Sequence, residues 1–418
     1  MESQKKKVAI VLGGTNAHIN LIKSLQQRGY FVFLVDYLEN PVAKKFADKH
    51  IEKSTLDKEA VLEFAKKVKA SLVISTSVDQ ANLTACYVAE KLGLPAPYSY
   101  KIAKEVTDKT LMKKKMIENN IPTARYIIFT SLLNFKKSGL NFPVIVKPVD
   151  NNGSKGVRKA NNLIELKKYL KLAIKASRTK KAIIEEFKEG DEFSVYCLIQ
   201  NFKVNLVLIS KKNKINKRGD SVMQSYCSLA PVEVSPRTRK EILEIINNIV
   251  ISFNLNNTPL FCQLIIKDEK VNVIEFSPRL GGGISSEVIK LKTGIDFIET
   301  AVDSYLKINK RNKKTIKNNK NYFLIGTIYA RSGIFNRILG YKKLEKNKII
   351  EKIYFYKGKG MKIGSDFSSQ NRIGSFIIKD KNKSRLWLKF REAINKLEVL
   401  NIKNEPIMIK DIYNLEKK

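Results

Sequence analysis

Val273-Ile274-Glu275-Phe276-Ser277-Pro278-Arg279-Leu280-Gly281-Gly282-Gly283 is the stretch on which the reading of this chain turns. Its first half alternates apolar and polar residues, as a strand with one buried face does. Period-2 geometry sends Glu275, Ser277 and Arg279 to the same side of an extended segment. That side offers an anion, a hydroxyl and a fixed cation. Such a set suits a magnesium–phosphate site with an arginine able to hold a transferring phosphoryl group or a carboxylate. The glycines let backbone amides approach a ligand that a side chain would block. An edge strand with a surface ion pair and a loose turn would use the same residues, so the segments upstream must discriminate.

Immediately upstream, Phe261 to Ile266 reads as a strand, Asp268-Glu269-Lys270 as a turn, and Val271 to Phe276 as the returning strand. Gln263 and Glu275 then face each other across a hairpin. Further back, Ala182 to Phe187 is an apolar strand running into the carboxylates Glu185 and Glu186, followed by Lys188, Glu192 and a hairpin of Val195–Gln200 with Lys203–Ser210. The basic run Lys211 to Arg218 is expected to be a solvated loop. Pro143 to Pro148 is a short strand that delivers Lys147 into the glycine-bearing loop Asp150 to Val157. That loop is rich in backbone donors, as a cover over phosphates must be, but it lacks the Walker spacing. Thr107-Asp108-Lys109 opens an amphipathic helix that reaches Glu118.

The N-terminal third reads as a β-α-β unit. Val8 to Leu12 is a buried parallel strand ending in Gly13-Gly14, and Phe31 to Val35 is a second, closed by Asp36. The dinucleotide fingerprint is incomplete because the third glycine is missing, so NAD is not expected. His18 near this turn could touch a substrate or cap the helix. Leu72 to Ser75 is a third strand, placing Ser77 and Asp79 at its carboxyl end, where open α/β sheets bind ligands and where both could equally cap the next helix. Beyond a lysine- and asparagine-rich linker, Lys307 to Lys320, strands near 322–329, 349–356 and 372–378 and a helix near 386–397 make a smaller α+β domain.

Composition bounds the answer. A chain of 418 residues divides into two or three domains. No apolar run is long enough to span a membrane, and the charged start, Met1 to Lys7, is not that of a signal peptide. Cys86, Cys197, Cys227 and Cys262 show no metal spacing and read as buried thiols of a cytoplasmic protein. The net charge of +38 would fit a nucleic-acid-binding protein, but the lysines are spread along the whole chain among Asn and Ile, as in proteins from AT-rich genomes.

In this order, Lys109, Lys147, the small-residue loop, Glu185-Glu186, Glu192, Gln263, Glu275 and Arg279 resemble an ATP-grasp enzyme of the carboxylate–amine ligase type. The likeness is to L-amino-acid ligases and to the synthetic domains of carbamoyl phosphate synthetase, and it covers residues 1 to about 305. It implies a mixed α/β and α+β multidomain fold. A Rossmann-like domain over 1–105 would precede an ATP-grasp domain over 106–306, with its lid at about 123–187, and a small α+β domain over 321–418. It implies ATP and Mg²⁺, or Mn²⁺, as cofactors. Lys109 and Lys147 would reach the α- and β-phosphates, and Asn152, Gly153, Ser154, Lys155 and Gly156 would cover the β- and γ-phosphates. Glu185, Glu186 and Lys188 would meet adenine, and Glu192 the ribose. Glu275, Gln263 and Ser277 would hold the metal. Gln263 and Ser277 depart from the family's usual Glu and Asn, which bears on a second metal ion. Arg279 would steady the acyl-phosphate, with Gly282, Gly283, Ser77, Asp79 and His18 facing the substrate. The implied activity joins a small carboxylate, such as an amino acid, to an amine through an acyl-phosphate. The alternatives are a carboxylase activating bicarbonate and, outside the fold, a nucleic-acid-binding protein. The implied partners are small carboxylates and amines, with no membrane and no nucleic acid, and a homodimer is left open.

Overall fold

The computed structural model describes residues 6–151, 153–215, 223–308, 319–365, 368 and 371–413. It begins with four parallel strands in the order Lys49–Glu52, Tyr30–Asp36, Lys7–Leu12, Leu72–Ile74. The two central strands are continuous apolar runs because helices bury both faces of the sheet. The edge strand Lys49–Glu52 has no fully buried residue, so it carries no such run and escapes a reading based on apolar continuity. Where a dinucleotide would sit, the chain fills the turn itself. Asp36 accepts hydrogen bonds from the backbone amides of Gly14 (2.7 Å) and Leu38 (2.9 Å), and a Cβ on Gly14 would lie 2.3 Å from Pro41.

A lid sheet follows in the antiparallel order Tyr126–Phe129, Ala182–Glu186, Val144–Pro148, Arg158–Ala160. Helix Leu163–Ala176 covers one face through Leu166, Leu170 and Ala173, which pack on Val144, Val146 and Ile184. The largest element is an eight-stranded antiparallel sheet. Its order is Lys270–Ser277, Thr258–Lys267, Asp191–Gln200, Lys203–Lys214, Ser225–Ala230, Tyr322–Tyr329, Arg372–Asp380, Lys352–Phe355. Helix Pro236–Ser252 starts at Ser235, whose hydroxyl accepts from the Thr238 amide, and has proline in its first turn. It buries Ile242, Ile245, Ile246, Ile249 and Val250, a helical spacing, against Val195, Cys197, Leu260 and Cys262. Three strands after the 309–318 segment extend this same sheet, because Tyr322–Tyr329 pairs with Ser225–Ala230 through Cys227 and Gly326, while Lys362–Ile363, Gly333–Leu339 and Glu398–Asn401 form a separate sheet. All four cysteines are buried free thiols. Among the described residues no helix is long and apolar enough to cross a membrane.

One expectation fails here. Lys211 to Lys214 is not a solvated loop but the end of strand Lys203–Lys214. The alternation of the pleat puts Lys212 and Lys214 on one face, where both meet Glu192, and Lys211 on the other, where it meets Asp191 at 2.5 Å. The basic run is stranded because each lysine finds a carboxylate on the neighbouring strand. Its remainder, 216–218, lies outside the described residues.

Candidate active site

Between the lid sheet and the end of the large sheet lies a cavity of about 300 Å³. Elements spread from residue 109 to residue 275 supply its polar lining. Helix Lys109–Glu118 is capped by Asp108, whose carboxylate accepts from the amides of Thr110 (2.8 Å) and Leu111 (3.2 Å). Lys109 and Lys113, one turn apart on it, both point into the cavity. Strand Val144–Pro148 buries Val144 and Val146 in the lid core and presents Ile145 and Lys147 to the cavity from its other face. Ile145 stands opposite Glu185 in the next strand, which brings Lys147 and Glu185 together diagonally.

The result is a buried triad at the cavity wall. Lys147 Nζ lies 2.8 Å from Glu185 Oε2 and Lys113 Nζ 3.2 Å from Oε1, the latter a charge contact without hydrogen-bond alignment. Lys113 also donates to Thr123 Oγ1 at 2.8 Å. Burial alone would push the Glu185 carboxyl up. The charges of Lys113 and Lys147 outweigh it and hold the acid below its ordinary range. Burial together with the Lys147 charge pulls Lys113 down, against Glu185. Two cations and one anion leave the wall positive, as a receptor for a polyphosphate must be. Sequence reasoning missed Lys113, because Lys113-Lys114-Lys115 looks like a solvated run. The available signal was its spacing of one helical turn from Lys109.

On the opposite wall, Gln263 and Glu275 are direct cross-strand partners, followed by a bulge. Gln263 Nε2 donates to Glu192 Oε1 at 2.9 Å. An ionised carboxylate only accepts, so this contact fixes the amide's orientation and leaves its oxygen free to act as a ligand. Glu192 is further held by Lys212 at 2.5 Å and by Lys214. Burial would raise its carboxyl, but the two lysines bring it down to about 2. Among the described residues the Glu275 side chain has no hydrogen-bond or ion-pair partner, and no cluster of three or more metal-ligating His, Cys, Asp or Glu side chains exists. A carboxylate beside an oriented amide oxygen therefore fits one hard cation whose remaining ligands are phosphate oxygens and water. It does not make a self-sufficient cage.

The remaining sequence candidates divide clearly. Gly153, Ser154, Glu186 and Lys188 line the cavity with Lys109, Lys147, Glu185, Glu192, Gln263 and Glu275. Lys155 and Gly156 do not; Gly156, at φ +76°, packs against Pro148. Asn152 lies outside the described residues. Arg279 and Ser277 turn from the cavity towards the N-terminal sheet and meet Asp79. The guanidinium donates through Nε at 2.6 Å and Nη2 at 2.5 Å, and the Ser277 hydroxyl donates at 2.9 Å. The Leu280 amide donates to Thr76 O at 3.1 Å, so the loop is tied to the carboxyl end of strand Leu72–Ile74 at two points. Asp79 thus does not cap its helix, and neither does Ser77, whose hydroxyl lies 3.3 Å from His18 Nε2. Burial would raise Asp79, but Arg279 keeps it below the ordinary carboxylate range. His18 is fully buried as the capping partner of Thr15, and burial pushes its ring down to about 4. Gly282 and Gly283 are exposed, and Gly283 lines a second, larger cleft.

Residues 140–287, which include Lys147, the lid loop, Glu185, Glu192, Gln263, Glu275 and Arg279, match the ATP-grasp domain family. Residues 140–287 are thus an ATP-grasp domain. The chain's relatives are ATP-dependent ligases, among them the carboxylate–amine type. The chain is 25% identical over 285 residues to the formate-dependent phosphoribosylglycinamide formyltransferase of Prochlorococcus marinus, covering 66% of this chain and 70% of that one. It is 25% identical over 323 residues to the phosphoribosylamine–glycine ligase of Pyrococcus furiosus, covering 72% and 73%. The L-amino acid ligase of Bacillus licheniformis shares its fold, with a TM-score of 0.77 at 20% identity over 95% of this chain and 100% of that one. The match spans the cavity-lining residues from Ile145 to Glu275, and Lys109, Lys113 and Ala124 precede it.

Proposed function

We propose that this protein joins a small carboxylate, such as an amino acid, to an amine, using ATP and passing through an acyl-phosphate. One observation carries the reading: Lys109, Lys147, Gln263 and Glu275, from four elements, share one cavity with the Gly153–Ser154 loop and the Glu185–Lys188 segment. Ile145, Phe187 and Ile265 are apolar lining residues suited to a purine ring, and the segment Glu186 to Lys188 lines the cavity with them. The lining lysines Lys109, Lys113 and Lys147 suit a triphosphate. Lys109 and Lys147 act as point charges, and the Lys147 ammonium is held in place by Glu185. A Mg²⁺ ion at Glu275 and Gln263 would neutralise phosphate charge as it develops.

In the reaction so assigned, a substrate carboxylate oxygen attacks the γ-phosphorus and ADP leaves. The amine then attacks the acyl carbon and phosphate leaves. The chain's own contribution is to position the partners and stabilise charge. Arg279, held by Asp79 and turned from the nucleotide cavity, positions the loop that passes from strand Lys270–Ser277 to the glycines. ADP release should be followed with paired amino acids and small carboxylates, with mass spectrometry of the product. Glu275→Ala and Lys147→Ala should each lower the rate by at least ~100-fold, the scale for loss of one preorganised electrostatic group. Turnover retained in both variants would remove the assignment. ADP release with bicarbonate alone would select the carboxylase reading instead.

A further inference from the structure

The second cleft, about 750 Å³, lies where the N-terminal domain, the loop after Arg279 and the C-terminal strands meet. Five of its lining residues are lysines, Lys23, Lys44, Lys45, Lys352 and Lys357, and one is acidic, Glu287. That is five to one, against 78 to 40 for the whole chain, so the high lysine content alone does not account for it. Some lysines elsewhere, such as Lys147, Lys212 and Lys214, pair with carboxylates. Among the described residues none of these five does. Lys44 donates to Glu39 O (2.8 Å) and Asn40 Oδ1 (3.1 Å), and Lys357 to Lys362 O (3.0 Å). Lys23 and Lys45 stand over the Phe46 ring at 5.0 and 5.3 Å, and Lys352 over Tyr354 at 5.1 Å. Neutral partners orient these ammonium groups without neutralising them.

Glu287 is the complement. Asn20 Nδ2 donates to its Oε1 at 2.7 Å and the Tyr354 hydroxyl to Oε2 at 3.2 Å, so the carboxylate is fixed by neutral donors, and Lys290, itself paired with Asp296, reaches it only through its charge. The cleft also adjoins the phosphate-covering loop. Gly153 and Ser154 line the ATP cavity, and the charge of Lys155 beside them reaches Lys357 in this cleft. Gly283, the last glycine of the run after Arg279, lies on its floor.

We infer that this cleft receives the non-nucleotide substrate, and that this substrate is an amine-bearing molecule with an anionic group in addition to the carboxylate that reacts. The lysines take the extra anion and Glu287 takes the ammonium. A cleft so positive attracts such a molecule and disfavours a cationic one through like-charge repulsion. The inference rests on the ligase reading for the carboxylate it activates, but the binding it asserts is measurable without turnover.

The test is calorimetric titration of the enzyme loaded with MgADP, using four amino acids: O-phospho-L-serine, L-glutamate, L-glutamine and L-lysine. The first two carry a phosphate and a carboxylate as the extra anion, so the stronger of them names the group. At least one should bind ~10-fold or more tightly than glutamine and lysine, a preference equal to ~1.4 kcal/mol. The double reversal Lys45→Glu/Lys352→Glu should erase that preference and leave ADP affinity unchanged, since neither residue lines the nucleotide cavity. Glutarate, which lacks the amine, should bind more weakly than glutamate in the wild type and equally in Glu287→Gln. Binding of glutamine or lysine as tight as the anionic compounds would overturn the inference, and so would a preference that survives the charge reversal. No binding of any of the four would also overturn it. ADP release with neutral amino acids, in an enzyme that fails this test, would leave the ligase reading standing.

Discussion

Asp79→Asn isolates the contact on which Arg279 depends. The Asp79 and Arg279 side chains are 20% and 10% exposed and meet through two hydrogen bonds of 2.6 and 2.5 Å. Asparagine keeps the shape but loses the charge, and its amide hydrogens would oppose one of the two guanidinium donors. Removing one member of a buried pair costs ~3–5 kcal/mol, and the partial exposure here places the loss at the lower end, ~3 kcal/mol. In a cooperative unit of ~150–250 residues each kcal/mol moves Tm by ~2–4 °C, so a fall of ~6–12 °C is expected. Combined with Arg279→Met in a double-mutant cycle, the pair should show a coupling of ~1–3 kcal/mol. Because Arg279 holds Asp79 below the ordinary carboxylate range, the pair's contribution is complete above that range. It is lost as pH falls through the folded-state value, so the variant should lack that part of the acid limb. Urea unfolding at pH 7 and at acid pH reads both effects. A single-variant loss and a coupling both below ~0.5 kcal/mol would refute the argument that Asp79 anchors this arginine.

Glu185→Gln leaves Lys113 and Lys147, 1% and 4% exposed, without their shared anion and should destabilise the free protein by ~3 kcal/mol or more. A bound triphosphate supplies the missing charge, so MgATP should raise Tm more in this variant than in the wild type; an equal or smaller rise contradicts the account of the triad. Glu192 titrates at about 2 in the fold against 4.5 for a free glutamate, so its stabilisation is complete above about pH 4.5 and disappears between there and about pH 2. At ~1.4 kcal/mol per pH unit that gap is worth ~3 kcal/mol at most. Solvent at Lys212 and Lys214, 21% and 31% exposed, lowers it to ~1–2 kcal/mol. Glu192→Gln should flatten the stability–pH curve over this window in chemical unfolding at pH 5, 3.5 and 2.5, and an unchanged slope would count against the lysine pairing. Gly326→Ala places a methyl 2.3 Å from the Phe376 ring in the sheet core and should cost ~1–3 kcal/mol, read by the same unfolding assay.

Local pattern was enough for much of this molecule. Alternation and apolar continuity placed the strands around 8–12, 31–35, 144–148 and 271–276, because each of those segments has a fixed buried face whatever it packs against. The hairpin that sets Gln263 against Glu275 follows from turn chemistry and pleat, both of short range. The order of the charged residues along the chain was enough to suggest an ATP-grasp enzyme. Long-range electrostatics was not legible. Whether a lysine is solvated or buried depends on which carboxylate the fold brings to it, and nothing in Lys113-Lys114-Lys115 distinguishes the lysine that meets Glu185, 72 positions on in the chain. The same holds for Lys212 and Lys214, which lie in a strand between two others and meet Glu192 of one of them. Tertiary structure alone turned Arg279 and Ser277 away from Glu275 and on to Asp79, some 200 residues earlier, since a strand's period fixes the side of a residue but not the partner waiting there.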